Sequence, residues 1–338
     1  METIAELEEF MSTPSRELVK DLQQLDGDIM ILGVSGKMGP TLAKLAKRAV
    51  EQSGQSKKVI GVARFSDESL IDELEACGIE TIKADFLKEE ELQNLPNVKN
   101  IIFMAGTKFG TVGNEHRTWA MNAYLPGRVA EKFKNSRIVS FSTGNVYPLT
   151  SVLSNGCTED VTPNPVGEYA QSCLGRERVL TYFSHKNQTP IVHFRLNYAI
   201  DLRYGVLLEI AKSVHQGKPI DLTMGNVNVI WQGDANEYAI RSLLHTNYPP
   251  KIINVTGPET LSVRWLAKEF GKRMEKEPVY VNSESPTALL NNASQAHKLF
   301  GYPKVTVQQM IDMIADWVVS DGHTINKPTH FQEREGAF

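Results

Sequence analysis

Gly33, Gly36 and Gly39 follow the apolar run Ile29–Leu32 at G-x-x-G-x-x-G spacing. Glycines let a backbone turn tightly and let a pyrophosphate approach closely. A helix that starts at such a turn points free N–H groups and its positive dipole end at the anion. A second group lies far along the chain, where Ser142 and Thr143 close another apolar run and Tyr169 follows a polar loop. Tyrosine has a reference pKa of about 10, so it is a poor acid or base near neutrality unless a cation nearby favours the phenolate. With a hydroxyl beside it to hold a substrate oxygen, it can exchange a proton at the carbon where a nicotinamide exchanges a hydride.

These residues need elements to hold them. Ile29–Leu32 is apolar without alternation and reads as a buried strand. Met38, Leu42, Leu45, Ala46 and Ala49 recur at helical spacing after it. Further strands are predicted over 58–63, 80–86, 100–107, 137–147 and 190–195, with helices between them and short connections. That alternation predicts an α/β fold with a doubly wound parallel sheet. Ser35, Lys37 and Met38 fill the glycine turn and join Gly33, Gly36 and Gly39 as candidate cofactor contacts. Arg64 closes the second strand, where an acid would bind a ribose 2′-hydroxyl and an arginine suits a 2′-phosphate. NADP is therefore expected over NAD. Asp85 and Phe86 stand where an adenine amine is met, and Met104, Ala105 and Gly106 are where a cofactor lies over a strand end. A helical segment near 115–134 holds Asn122 and a kinking Pro126.

Composition bounds the rest. A formal charge of −4 and a sequence pI near 6.1 argue against nucleic-acid or anionic-membrane partners. No apolar run is long enough for a membrane span, and the acidic N-terminus does not read as a signal peptide. Cys77, Cys157 and Cys173 lack metal-ligand spacing and suit a reducing cytoplasm, so no metal is expected. The expected organisation is a helical extension over 1–25, with Thr13 capping its second helix ahead of Pro14. A dinucleotide domain follows over 26–195, taking in 226–256. A smaller substrate region covers 196–225 and 257–330, and a tail covers 331–338.

From about Asp28 to about Val319 the chain resembles an extended short-chain dehydrogenase/reductase of the NAD-dependent epimerase/dehydratase kind. The pieces that carry the resemblance fall in order: Gly33–Gly39, Asp85–Phe86, Met104–Thr107, Asn122, Phe141–Tyr147, Tyr169 with Glu177, Phe194–Tyr198, Trp231–Asp234 and Asn254–Val263. The resemblance implies an NAD(P)-binding Rossmann domain and Tyr169 as catalytic acid/base beside the nicotinamide. It implies Thr143, four residues before Tyr147, as the hydroxyl on the substrate oxygen, and Asn122 as the organiser of a water or backbone network. It also implies a small-molecule substrate, sugar-like or carbonyl, with a nucleotide sugar among the candidates. A homodimer through the helices near 115–134 and 169–184 is usual in that family.

One departure bears on activity. The family motif is Y-x-x-x-K, and this chain has Tyr169-Ala-Gln-Ser-Cys173. A cysteine brings no fixed positive charge at pH 7. Arg176, two turns on along the same helix face, and Lys108, just past the fourth strand, are candidate replacement cations. Two readings stand: an oxidoreductase or epimerase/dehydratase, or a non-catalytic NAD(P)-binding sensor or scaffold that has lost the lysine. Loops 107–118, 148–167 and 197–206 are expected to line the substrate pocket, with Arg203, Tyr204 and Trp231 as candidate contacts.

Overall fold

A computed structural model describes residues 1–110 and 113–336. Its central sheet has seven parallel strands: β1 (Ile29–Leu32), β2 (Val59–Ala63), β3 (Glu80–Lys83), β4 (Asn100–Phe103), β5 (Arg137–Thr143), β6 (Ile191–Leu196) and β7 (Lys251–Val255). They lie in the order β7-β6-β5-β4-β1-β2-β3. The strand order reverses between β1 and β4, which opens a crevice at their carboxyl ends. β1 is apolar throughout because both its faces are covered. Ile29 and Ile31 enter one core layer, while Met30 and Leu32 enter the other. The expected doubly wound α/β sheet is what forms.

Two helices precede the sheet, α1 (Ile4–Met11) and α2 (Arg16–Gln24), and α3 (Gly39–Gln52) follows β1. The cap of α2 differs from expectation. Ser15, not Thr13, accepts from the Leu18 amide at 3.0 Å, while the Thr13 hydroxyl donates to the Glu9 carbonyl. Ser15 is favoured because its hydroxyl also donates to Glu237 at 2.6 Å, a long-range bond no local pattern shows. The extension is built into the body. Leu18 and Leu22 join the sheet's core, whereas Leu7 and Met11 join a separate core formed by the C-terminal half. Glu8 ties the two halves, accepting from Lys44 of α3 at 2.7 Å and from Arg203 at 3.1 Å.

The predicted segment near 115–134 is three pieces. After the short helices α4 (Ser69–Ala76) and α5 (Glu89–Gln93), α6 (Glu115–Trp119) runs into a π-helical turn (Ala120–Tyr124) and then α7 (Leu125–Lys132). Pro126 sits in the first turn of α7, where its missing N–H costs least. α8 (Gly167–Asn187) carries Tyr169 and packs against α7. The C-terminal half adds α9 (Val206–His215), α10 (Gln232–Arg241), α11 (Val263–Met274), α12 (Ser294–Phe300) and α13 (Val307–Val319). No helix among the described residues is long and apolar enough to cross a membrane.

Candidate functional site

The glycine turn is shaped by close approach. Gly33 holds φ at +96°, and a Cβ there would stand 2.7 Å from the Ala105 amide nitrogen. A Cβ on Gly39 would stand 2.0 Å from the Val34 carbonyl oxygen. Both contacts are with backbone, which cannot move aside, so only glycine fits. Ser35 and Gly36 are exposed, and α3 begins with no side-chain cap and no acid in its first turn. Its N–H groups and dipole are thus available to an anion, and these residues fit a dinucleotide's pyrophosphate. Arg64 is exposed at the end of β2. Asp85 is half-buried and accepts from the Leu87 amide at 3.1 Å, and Phe86 is buried behind it.

Past the strand ends lies a cavity of about 610 Å³. Ser35, Lys37, Met38, Met104 and Gly106 line one side, with Thr143, Tyr169, Cys173 and Tyr204 among the residues completing it. The hydroxyl cluster and the glycine turn therefore open into one space. Thr143 is oriented by Asn145: its hydroxyl donates to Asn145 Oδ1 at 3.0 Å and accepts from the Asn145 amide at 3.2 Å. Tyr169 is within hydrogen-bond reach of Thr143 and of Cys173. Burial, with the Cys173 thiol beside it, pushes the phenol pKa well above its usual value, and Thr143 and the Arg176 charge offset this in part. Burial likewise pushes the Cys173 thiol up.

Asn122 is fully buried. Its amide donates to the Thr107 carbonyl at 2.8 Å and to Ser172 Oγ at 3.0 Å, while its oxygen accepts from the Thr107 amide at 2.8 Å and from Arg176 at 3.1 Å. It clamps the segment entering the loop after β4, and the π-helical turn aims it there. The Arg176 guanidinium donates to the carbonyls of Phe141 (2.5 Å), Ala105 (3.0 Å) and Asn122 (3.3 Å), joining the ends of β4 and β5 under the cavity. Lys108 Nζ stands 5.9 Å from the centre of the Tyr169 ring. Behind Ser142, whose hydroxyl donates to Glu177 at 2.5 Å, Glu177 and Arg195 form a buried fork at 2.9 and 2.6 Å.

The sequence model of the NAD dependent epimerase/dehydratase family matches residues 29–245, well over half of the chain. The chain belongs to this family. It is an extended short-chain dehydrogenase/reductase, as its motifs implied, and membership places it among enzymes. Solved structures of similar fold include a UDP-glucuronic acid 4-epimerase from Bacillus cereus determined with NAD and a fluorinated UDP-glucuronic acid. It is 18% identical with TM-score 0.72, over 86% of this chain and 99% of that one. An epimerase from Methanothermobacter thermautotrophicus is 19% identical with TM-score 0.72, over 90% and 96%. The UDP-glucose 4-epimerase of Thermotoga maritima, determined with UDP-glucose, is 16% identical with TM-score 0.68, over 87% and 99%. At these identities the likeness is one of fold. No curated protein matches the sequence.

Against the family's pattern, several expected pocket residues lie elsewhere. Trp231 is buried in the C-terminal core with its ring centre 5.9 Å from that of Phe10, because α1 covers it. Arg203 is held in ion pairs with Asp201 at 3.0 Å and Glu8 at 3.1 Å, whereas Tyr204 does line the cavity. The loop 148–167 turns away from this cavity: Thr150–Ser151 pairs with Thr287–Ala288, and Cys157 bridges to Asn291. Of the loop 107–118, Thr107, Lys108 and Phe109 line the cavity, and residues 111 and 112 lie outside the described residues, as do 337 and 338 of the tail.

Sequence reasoning included residues up to 330 in the substrate region but named no contact in the C-terminal segment, whose Ile325, Lys327 and Thr329 line the cavity. The Ile325 amide donates to the Arg203 carbonyl at 3.0 Å, the Thr329 hydroxyl donates to Glu209 at 2.6 Å, and Gly336 meets Gly167 at the start of α8. These polar and backbone contacts leave no hydrophobic period to detect. The loop 197–206 lines the cavity as expected, and its Tyr198 holds φ at +43° where the chain leaves β6. A non-glycine residue in that region is strained and points to a constrained site.

Proposed function

We propose that the protein is an NAD(P)-dependent oxidoreductase or epimerase/dehydratase acting on a carbonyl or sugar-like small molecule held in the cavity at the strand ends. The observation that carries this is the convergence on one cavity of the open glycine turn, the oriented Thr143 hydroxyl and Tyr169. A nicotinamide, when bound, supplies the hydride acceptor and donor. Burial keeps Tyr169 protonated at neutral pH, so it acts first as a proton donor to the substrate oxygen. The Arg176 charge favours the phenolate left behind. Thr143 holds the same oxygen, and Asn122 fixes the backbone of the loop that carries Lys108.

A nucleotide sugar is the substrate class this reading favours, supported by the UDP-sugars bound in two of the similar folds. Among dinucleotides the reading favours NADP, supported by exposed Arg64 at the end of β2; the Bacillus cereus structure carries NAD. A cytoplasmic homodimer, joined through the exposed Trp119, Tyr124 and Tyr182 on α6–α8, completes it.

The test is fluorescence titration with NADPH and NADH, followed by turnover assays with nucleotide sugars. Binding of either dinucleotide, and turnover abolished by Tyr169→Phe, is expected. Arg64→Ala should weaken NADPH selectively, and equal loss for both dinucleotides would remove that residue's role. Failure to bind at millimolar dinucleotide sinks the whole reading. Binding without turnover of any carbonyl or sugar substrate would favour the non-catalytic sensor or scaffold, to which the absent lysine already points. Sedimentation as a monomer would remove the dimer.

A further inference from the structure

Past α13 nothing among the described residues forms a helix or strand, yet the chain does not leave the cavity. Residues 324–330 cross it, and their side chains alternate. Ile325, Lys327 and Thr329 line the strand-end cavity. Asn326, Pro328 and His330 line a second cavity of about 670 Å³ against α9, and Lys327 reaches both. One segment thus walls two spaces. Its ends are fixed. Before it, the Trp317 indole donates to the His323 carbonyl at 3.1 Å. After it, Phe331 is buried in the C-terminal core, and the Arg334 guanidinium donates to the Thr287 carbonyl at 2.8 Å and hydroxyl at 2.7 Å. Between these anchors two latches hold the crossing. The Ile325 amide donates to the Arg203 carbonyl at 3.0 Å. The Thr329 amide and hydroxyl both donate to the Glu209 carboxylate, the hydroxyl at 2.6 Å. The Lys212 amine reaches Thr324 and Asn326 only at 3.5 Å, the outer limit of a hydrogen bond. Asn326 and His330, which bracket the latch, hold φ at +53° and +54°, a left-handed backbone that is uncommon for residues other than glycine.

A segment held by a few polar contacts over a packed body opens at far lower free energy than the body unfolds. We propose that residues 324–330 are a lid on the strand-end cavity, anchored at both ends, bent at Asn326 and His330, and latched by Glu209 through Thr329. Lifting it breaks the latches at Arg203 and Glu209 together and joins the inner cavity to the outer one, while Phe331 and Arg334 stay in place. The route to Thr143, Tyr169 and Cys173 then runs under the lifted lid. That the molecule admitted is a substrate rests on the proposed function; the lid itself does not.

The full chain carries its own reporters. Cys173 lines the inner cavity at 2% exposure, Cys157 is as deeply buried outside it, and Cys77 is exposed. Iodoacetamide is added to the native protein without cofactor or substrate, and peptide mass spectrometry gives the alkylation rate of each thiol. Hydrogen exchange of the Ile325 amide reads the lid directly. Glu209→Gln should speed Cys173 alkylation at least about tenfold, the size of a hydrogen bond to a charged group, and speed Ile325 exchange by a similar factor. Thr329→Val, which keeps the shape and loses the hydroxyl, should speed both about three- to tenfold. Cys157 and Cys77 should stay within about twofold in each variant, because the body does not open. Cys173 alkylation unchanged by both variants, absence of reaction in every protein included, overturns the proposal. So does acceleration of Cys173 and Cys157 together, which is general loosening. So does faster Cys173 with unchanged Ile325 exchange, which is altered thiol chemistry. Failure of the chain to bind NADH, measured separately, counts against the proposed function alone.

Discussion

Cys173→Lys should draw the Tyr169 proton off at lower pH. The two side chains lie one helical turn apart on α8 and already share a hydrogen bond. An ammonium about 4 Å from the phenol oxygen is worth about 4 kcal/mol at an effective dielectric of about 20, or about three pH units. Arg176 and Lys108, already cations beside the cavity, oppose a third, so a net drop of about one to three units is expected. The longer side chain enters a site where Cys173 is 2% exposed among Val146, Tyr147 and Cys157. Overpacking of that kind costs about 1–3 kcal/mol. For a chain of 338 residues, with an unfolding entropy of about 0.7 kcal/mol/K, the Tm should fall by about 1.5–4 °C. Ultraviolet difference titration, with Tyr169→Phe as the blank, reads the phenol, and circular dichroism reads the melt. A folded variant whose Tyr169 titrates within about 0.3 units of wild type would refute the view that position 173 governs the phenol.

Glu177→Ala should cost about 3–5 kcal/mol in denaturant unfolding, because it strands Arg195 uncompensated in the interior. Glu177→Leu with Arg195→Met should recover most of that loss, and a single variant costing under about 1 kcal/mol contradicts it. Gly33→Ala should destabilise the fold by about 1–3 kcal/mol and weaken NADH by more than about tenfold in the same fluorescence titration, since its φ is +96°; unchanged binding would disprove the cradle. Hydrogen bonds from Lys99 and Arg137 hold the Asp26 carboxyl at about 2, below its ordinary 3.8. A depressed carboxyl stabilises the fold above its unfolded pKa, and this contribution is lost as pH falls from about 4 towards 2. Asp26→Asn should therefore flatten the acid limb of the thermal-stability profile, and a superimposable limb would count against it.

The inner strands were the most legible where they are continuous apolar runs, and β1 shows why: alternate residues feed two core layers. The glycine turn, Thr143 and Tyr169 were legible because their spacing survives without tertiary information. What sequence hid were contacts made across the fold. Ser15 is preferred to Thr13 as a cap through Glu237, more than two hundred residues away. Trp231 reads as a ligand contact until α1 is seen to bury it. Lys37 reads as a turn residue, and only the opposite wall at Ala199 shows where its amine goes.

The π-helical turn at Ala120–Tyr124 sets a limit on how this chain can vary in length. Such a turn holds one residue more than an α-helix would. Deleting a single residue there would give a regular helix with the flanking turns left in phase, but it would change which side chain inside the turn faces the strand ends. Asn122, inside the turn, would swing off Thr107, Ser172 and Arg176. The segment leading to Lys108 would then lose its clamp. Surface loops elsewhere are free to grow or shrink, but this helix must keep its extra residue, so the irregular turn is a register mark by which related chains can be aligned.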